Sequence, residues 1–140
     1  MNKVHCLLVI FGLLLASCTQ EFEKTDIDSE ILLSLGKTDP PYSLIAETDS
    51  IYPCFNFRIA TRVRSGPNNF IVSFRHIEEE LTCEDSPAPA SVEITLGFLV
   101  ADQYDMEFRL DGNAYTGVYE VFADGTVDFR FTSPAGVRLR

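Results

Sequence analysis

Residues 103–110 read QYDMEFRL, and apolar side chains occupy every second position of this stretch. The apolar parity holds Tyr104, Met106, Phe108 and Leu110, and the polar parity holds Asp105, Glu107 and Arg109. Successive side chains of a β-strand point to opposite faces of its sheet, so this pattern predicts a strand with one buried face.

The same alternation recurs along the chain at intervals of about ten residues. It is present in CFNFRIA (54–60), NFIVSFRHI (69–77), SVEITL (91–96) and TVDFRF (126–131), and AYTGVYEVF (114–122) fits a further strand. Short strands at ILLSL (31–35) and VRLR (137–140) are also compatible with the pattern. Glycine-containing turns separate the strands, at 65–69, 111–113 and 124–125. The sequence therefore predicts an all-β fold, an immunoglobulin-like antiparallel β-sandwich of about six to eight strands. A small up-and-down β-barrel is the alternative.

The N-terminus has the organisation of a secretory signal. Lys3 precedes an apolar run over residues 7–16, which is too short to span a membrane as a helix. The run ends in LLASC (14–18), which resembles the lipobox of bacterial lipoproteins. The resemblance implies that residues 1–17 are removed, and that the lipidated Cys18 attaches the chain to a membrane.

Three segments follow from these boundaries: the signal 1–17, an acidic tether 18–30 that begins at the lipidated cysteine, and a single domain 31–140. The formal charge is −10 and becomes −11 without residues 1–17, whose one charged side chain is Lys3. Nucleic acid is therefore not an expected partner. The acidic tether resembles the export signal of surface lipoproteins. The expected location is the outer membrane, facing the cell exterior, with a periplasm-facing position as the alternative.

Two cysteines remain in the domain, Cys54 and Cys83, with 28 residues between them. An even number of cysteines in an oxidising compartment favours a disulfide. Two free thiols and a metal pair are the alternatives, but two cysteines without nearby histidines make a poor zinc site.

The segment 83–131 resembles small immunoglobulin-like domains of bacterial lipoproteins. The motifs that carry this resemblance are Cys83, Pro89-Ala90, Leu96-Gly97, Tyr104, Asp111-Gly112 and Gly117–Val121. The resemblance concerns the fold and implies no activity.

No catalytic motif is recognisable, and we expect neither an enzyme nor a cofactor or metal site. His76, the one histidine after residue 17, lies in phase with Phe70, Val72 and Phe74. This phase favours a hydrogen-bonded histidine at the edge of the core over a catalytic one.

The candidate binding face consists of arginines. Arg58, Arg62 and Arg64 share the polar parity of one predicted strand, and Arg75 lies on the polar parity of the next. A hairpin that turns near Gly66 would place all four on one face. They either pair with acids on neighbouring strands and protect an edge, or form a contact surface for an acidic protein or glycan.

The sequence thus predicts a lipid-anchored binding module of the cell envelope that contacts a protein or a glycan. The alternatives are a structural accessory of an outer-membrane assembly, with an apolar patch around Tyr115, Val118 and Tyr119, and an inhibitor of an extracellular enzyme.

Overall fold

The structure is a computed structural model that describes residues 23–54, 56–79, 86–131 and 136–139. These residues form ten β-strands and no helix, which confirms the all-β class. In chain order the strands are β1 (Glu23–Thr25), β2 (Ile31–Leu35), β3 (Tyr42–Tyr52), β4 (Arg58–Ser65), β5 (Asn69–Glu79), β6 (Ala88–Gly97), β7 (Asp102–Leu110), β8 (Asn113–Val121), β9 (Val127–Phe131) and β10 (Val137–Leu139). The predicted signal 1–17, Cys18 and Cys83 lie outside the described residues.

The strands form one mixed sheet in the order β10-β2-β3-β6-β4-β5-β7-β8-β9, with β1 paired to β5. Three pairs are parallel, namely β10–β2, β6–β4 and β5–β7. The expectation of six to eight wholly antiparallel strands is therefore corrected to ten strands in a mixed sheet. The reason is long-range: β5 and β7 are separated in the chain by β6, which pairs elsewhere, and such a crossover allows parallel neighbours.

The sheet is nearly divided between β6 and β4. β6 pairs with β3 from Tyr52↔Ala88 to Tyr42↔Gly97, but its only bridge to β4 is Arg58↔Ser91. Beyond that bridge, β4 and β6 separate. Among the described strands, only β5 pairs with the rest of β4.

The two halves of the sheet fold over a common interior. The rings of Tyr42 on β3 and Tyr119 on β8 meet edge to face at 6.3 Å, although β3 and β8 are not neighbours in the sheet. A Cβ atom on Gly136, next to β10, would collide with the Tyr115 hydroxyl on β8. The sheet is therefore curled until its ends approach each other, and it resembles a nearly closed barrel.

The interior is built by the alternation that the sequence shows. On β7, the four apolar side chains from Tyr104 to Leu110 are buried, and Phe108 is fully inaccessible. Phe108 packs against Phe74, Phe129 and Phe131, with ring centroids 5.5–6.3 Å apart. Each such side chain contributes roughly 1.5–3 kcal/mol when it leaves water, so this aromatic cluster is a major stabilising element.

A β-bulge in β5 changes which side chains point inward. β4 and β5 pair as Ala60↔His76 and then Thr61↔Phe74, so Arg75 is the additional residue. After the bulge Ile77 is buried, whereas His76 is half-buried on the outer face. The expectation that His76 lies in phase with Phe70, Val72 and Phe74 is therefore wrong, because one extra residue reverses the parity.

The link between β6 and β7, residues 98–101, is fixed by a tyrosine. The Tyr104 hydroxyl accepts a hydrogen bond from the Val100 N–H and donates one to the Val100 carbonyl, both at 3.1 Å. Leu99 packs against the core, while Phe98 and Val100 are 82% and 71% exposed. The hydrogen bonds from Tyr104 thus fix the backbone of the link, while the side chains of Phe98 and Val100 stay exposed to solvent.

The two ends of the sheet differ. At the end that we call the β1 end, β1 lies along the end of β5, from Glu23↔Glu79 to Thr25↔Ile77. At the far end lie the turn 66–68, the link 98–101 and the turn 122–126, where the Asp105 N–H donates to the Asn68 carbonyl. Part of the segment 18–30 is folded, since it contains β1 and the buried Ile27.

Candidate functional site

The arginines of β4 point outward because the strand alternates. Ile59 is buried, and Arg58, Arg62 and Arg64 have the opposite parity and are exposed. β5 carries Ser73 and Ile71 on the same outer face, at the positions that pair with Arg62 and Arg64. Arg75 shares this face because it continues the alternation of Ile71 and Ser73, and it is exposed.

Four arginines surround a small surface cavity of about 210 Å³. Arg62 and Arg64 contribute from β4, Arg75 from β5 and Arg109 from β7, and Ile71 and Ser73 complete the lining. Ser73 pairs with Arg62 on one side and with Arg109 on the other, so the three strands β4, β5 and β7 align these residues in a row. We call Arg62, Arg64, Arg75 and Arg109 the arginine cluster.

Arg58 does not line this cavity, although the sequence places it on the same face. It lies four residues from Arg62 along β4 and pairs across the ladder with Glu78 of β5. Its position toward the β1 end, opposite an acid, agrees with the interpretation that cross-strand acids accompany the arginines.

Arg109 is a member that the sequence analysis did not include. Its polar parity on β7 is visible in the sequence, but its proximity to Arg62 depends on the parallel pairing of β5 with β7. Its Nε donates to Glu107 Oε1 on the same strand, so Arg109 is partly neutralised.

The other three arginines of the cluster lack such neutralisation. The residues opposite Arg62 and Arg64 are Ser73 and Ile71, and none of the described carboxylates forms an ion pair with Arg62, Arg64 or Arg75. Elsewhere on the surface, basic side chains do have acidic partners: Arg130 with Glu120 and Asp128, Arg138 with Glu30 and Asp49, and Lys37 with Glu93. The cluster is therefore a local surplus of positive charge on an acidic protein.

A shallow groove continues from the cluster across β7 and β8. It has a volume of about 740 Å³ and shares Ile71 with the arginine cavity. Its charged lining residues are two acids, Asp105 and Glu107, and one base, Arg130. The positive surplus thus ends at Ile71, and the adjoining surface has mixed charge.

The remaining predicted positions have the following environments. His76 Nε2 lies 3.1 Å from Glu78 Oε1 on the outer face. Cys54 is buried at 1% exposure, and because Cys83 is outside the described residues, the disulfide stays a prediction.

The apolar patch expected around Tyr115, Val118 and Tyr119 is not present, because both tyrosines point into the core and are at most 7% exposed. Three exposed apolar side chains, Phe98, Val100 and Phe122, lie at the far end, whereas the exposed Ile51 lies at the other end of β3.

Within the described ranges, no helix is long and apolar enough to cross a membrane. No group of three or more histidine, cysteine or acidic side chains in this part of the chain is arranged to hold a metal ion. Comparison with protein-family models, curated proteins and solved structures gives no match to this chain.

Proposed function

We propose that this chain is a lipid-anchored binding module of the cell envelope, and that the arginine cluster contacts an anionic group of a protein or glycan. The observation that carries the proposal is the unpaired charge: three exposed arginines surround one cavity without an ion-pairing carboxylate among the described residues. Like charges at such spacing repel one another in the unbound protein, and an anionic ligand removes that repulsion.

The spacing of the cluster suits a ligand with several anionic groups. Arg62 and Arg64 are two residues apart on one face, which corresponds to about 7 Å, and Arg62 and Arg109 are two strands apart, about 10 Å. Guanidinium groups bind carboxylate, sulfate and phosphate in a bidentate manner, and the Ser73 hydroxyl between them offers another donor.

The proposed anchor is Cys18 in the outer membrane, with the domain facing the exterior or, alternatively, the periplasm. The LLASC motif supports lipidation. The structure is compatible with display, because the turn of the β4–β5 hairpin lies at the end of β5 opposite to β1.

We further propose that the domain is a variant of the immunoglobulin-like sandwich. Support comes from Tyr104, which sits near the start of a strand and bonds back to the backbone four residues upstream, as the tyrosine corner of such domains does. The two halves packed face to face also agree with this class. The parallel β5–β7 pair is a departure from it, and a small barrel is the alternative.

Polyanion binding tests the function. We expect the chain 19–140 to bind at least one of heparin, polygalacturonate and poly-glutamate in titration calorimetry at low salt, and to lose that binding as salt increases. Arg62→Gln/Arg64→Gln should weaken binding at least about tenfold with little change in melting temperature, because both side chains are exposed and unpaired.

The matched control is Lys37→Gln/Arg138→Gln, which removes the same charge from two basic side chains that form three ion pairs elsewhere. It should bind like the unmodified chain. Equal binding by the two variants, or no binding of any polyanion by the unmodified chain, would contradict the proposed site.

One observation favours a second candidate, the structural accessory. Phe98 and Val100 project from a link that Tyr104 holds rigid, which is the geometry of an apolar contact between proteins. A stoichiometric protein partner that is lost on Phe98→Ser/Val100→Ser, but not on Arg62→Gln/Arg64→Gln, would favour this candidate.

A further inference from the structure

The second half of β4 is an open sheet edge. β4 meets β6 only at Arg58↔Ser91, and from Ala60 to Ser65 it pairs with β5 on one side and with none of the described strands on the other. Residues 62–65 are all exposed. An edge of this length presents a row of backbone donors and acceptors that another strand can use.

The register shows which backbone groups face this edge. The Gly66 N–H donates to the Asn69 carbonyl at 2.8 Å, and hydrogen-bonded pairs then recur at every second position of an antiparallel ladder. The pairs Arg64↔Ile71 and Arg62↔Ser73 therefore direct their backbone groups toward β5. The N–H and C=O groups of Thr61, Val63 and Ser65 consequently point to the open edge.

The side chains along this edge alternate in character. Arg62 and Arg64 lie on the outer face, while Val63 has the opposite parity and is 39% exposed. In a strand added here, residues opposite the two arginines would form the pairs without backbone bonds, in which side chains approach most closely. An added strand is thus complementary if acidic residues flank an apolar residue.

We propose that the edge of β4 at residues 60–65 binds an extended acidic segment of a partner protein by strand addition, with Glu or Asp opposite Arg62 and Arg64 and an apolar residue opposite Val63. This inference rests on the proposed function and names the partner of the same site. The backbone ladder supplies affinity and the alternating side chains supply specificity.

A second copy of this chain does not fit the edge. Antiparallel pairing of β4 with another β4 would bring the arginines of each copy against those of the other, which is the arrangement that proteins use to prevent such contacts. The occupant must therefore carry the opposite charge at alternate positions. A glycan has no peptide backbone to extend the ladder, so it is distinguished by the test below.

The test uses a nine-residue peptide that alternates Glu and Val, titrated against the chain 19–140. One control peptide has the same composition with its glutamates grouped together, and a second is N-methylated at the valines, whose N–H groups would bond to β4. We expect the alternating peptide to bind at least about tenfold more tightly than either control.

A protein variant tests the same edge. Val63→Pro removes the N–H that points away from β5 and keeps the ladder within the hairpin, a placement that edge strands tolerate. It should weaken peptide binding at least about tenfold and leave polyanion binding by the arginine cluster unchanged. Near-ultraviolet circular dichroism checks its fold, and if Val63→Pro is misfolded, the N-methylated peptide on the unmodified chain gives the same answer.

The outcomes separate the two proposals. If the peptide binds and requires Arg62 and Arg64, but tolerates N-methylation and Val63→Pro, strand addition is overturned and the anion site stands. If the chain binds a polyanionic glycan but no peptide, strand addition is likewise overturned and the anion site stands. If neither peptide nor polyanion binds, both proposals fail.

Discussion

Tyr119 places a phenol in the centre of the interior. Its side chain is inaccessible to solvent, and its hydroxyl makes no hydrogen bond to any described residue. Its ring contacts Tyr42 and Phe129, each at a centroid distance of 6.3 Å. Burial raises the pKa of Tyr119 to about 12, with a smaller contribution from the nearby Tyr42. The side chain is therefore positioned by packing, and the phenol stays protonated because burial disfavours the charged phenolate.

This environment predicts a loss of stability at high pH. In the unfolded chain Tyr119 ionises near its ordinary pKa of 10.0, whereas in the folded chain it keeps its proton until about pH 12. Raising the pH from about 10 to about 12 therefore stabilises the unfolded state selectively. The free energy of unfolding, measured with urea at pH 7, 10 and 11, should fall over this window, and less steeply in Tyr119→Phe.

At neutral pH the same substitution should change the free energy of unfolding by less than about 1 kcal/mol, because it removes no hydrogen bond among the described residues. The pKa of Tyr52 is also raised, chiefly by burial, and this group is present in both proteins, so the comparison isolates Tyr119. Identical alkaline slopes for the two proteins would show that Tyr119 is solvated.

At the scale of the strand, Gly117 of β8 lies in close contact with β9. A Cβ atom built at this position would lie 2.9 Å from Phe131 Cδ2 and 3.0 Å from the Arg130 carbonyl oxygen. The partner atoms include backbone, so they cannot simply rotate away. Glycine is needed here for space rather than for an unusual backbone angle.

Gly117→Ala should therefore destabilise the fold by about 1–3 kcal/mol, the usual cost of overpacking a core. Thr116→Ala, on the exposed side of the same strand, is the control and should cost less than about 0.5 kcal/mol. Urea unfolding of the two variants checks the difference. Equal stabilities would mean that β9 shifts freely away from β8.

Most strands were predictable because period two is a local property. β5 to β9 follow the alternation closely, and the turns at 111–113 and 124–125 are where the chain reverses. The strand expected over 54–60 begins only at Arg58 and continues to Ser65. β3, however, was not predicted, because its first three residues, Tyr42, Ser43 and Leu44, are all buried and the alternation is lost. Ser43 is buried because its hydroxyl accepts from the Lys37 N–H and donates to Glu93.

The arginine cluster shows how far a local pattern can locate a site. The sequence predicts Arg58, Arg62, Arg64 and Arg75 on one face because one hairpin determines their neighbours, but Arg58 does not line the cavity. Arg109 could not be added, since no local signal indicates that β7 follows β5 in the sheet. The bulge at Arg75 was equally hidden, and it is what moves His76 to the outer face and Ile77 into the core.

At the scale of the molecule, the predicted Cys54–Cys83 disulfide would close a long loop between β3 and β6. Such a loop, with 28 residues between the cysteines, corresponds to about 3–4 kcal/mol in the chain-entropy model. We expect the free energy of unfolding of the oxidised chain 19–140, measured with urea, to exceed that of the Cys54→Ala/Cys83→Ala variant by about this amount. A thiol assay under denaturing conditions should find no free cysteine, and two free thiols would contradict the pairing.

The molecule also has two distinct ends. β1 begins at Glu23, five residues after Cys18, and a chain of five residues spans at most about 18 Å. Strands of eleven residues such as β5 are about 35 Å long, so the far end lies farther from Glu23 than the proposed anchor at Cys18 can lie. The arrangement places the turn 66–68 and the exposed Phe98 away from the proposed anchor.

The position of β1 determines how the domain would carry a mechanical load. With the anchor at Cys18 and a partner bound along β4, tension would pull Glu23 away from the far end, parallel to the axis of β5. β1 runs antiparallel to the end of β5, from Glu23↔Glu79 to Thr25↔Ile77. The tension would therefore act in shear on all the backbone hydrogen bonds between β1 and β5 at the same time. Backbone hydrogen bonds that are loaded together resist a pulling force far better than hydrogen bonds that open one after another. With the proposed anchor at Cys18, this three-residue strand would transfer the load to the sheet through shear of its backbone hydrogen bonds.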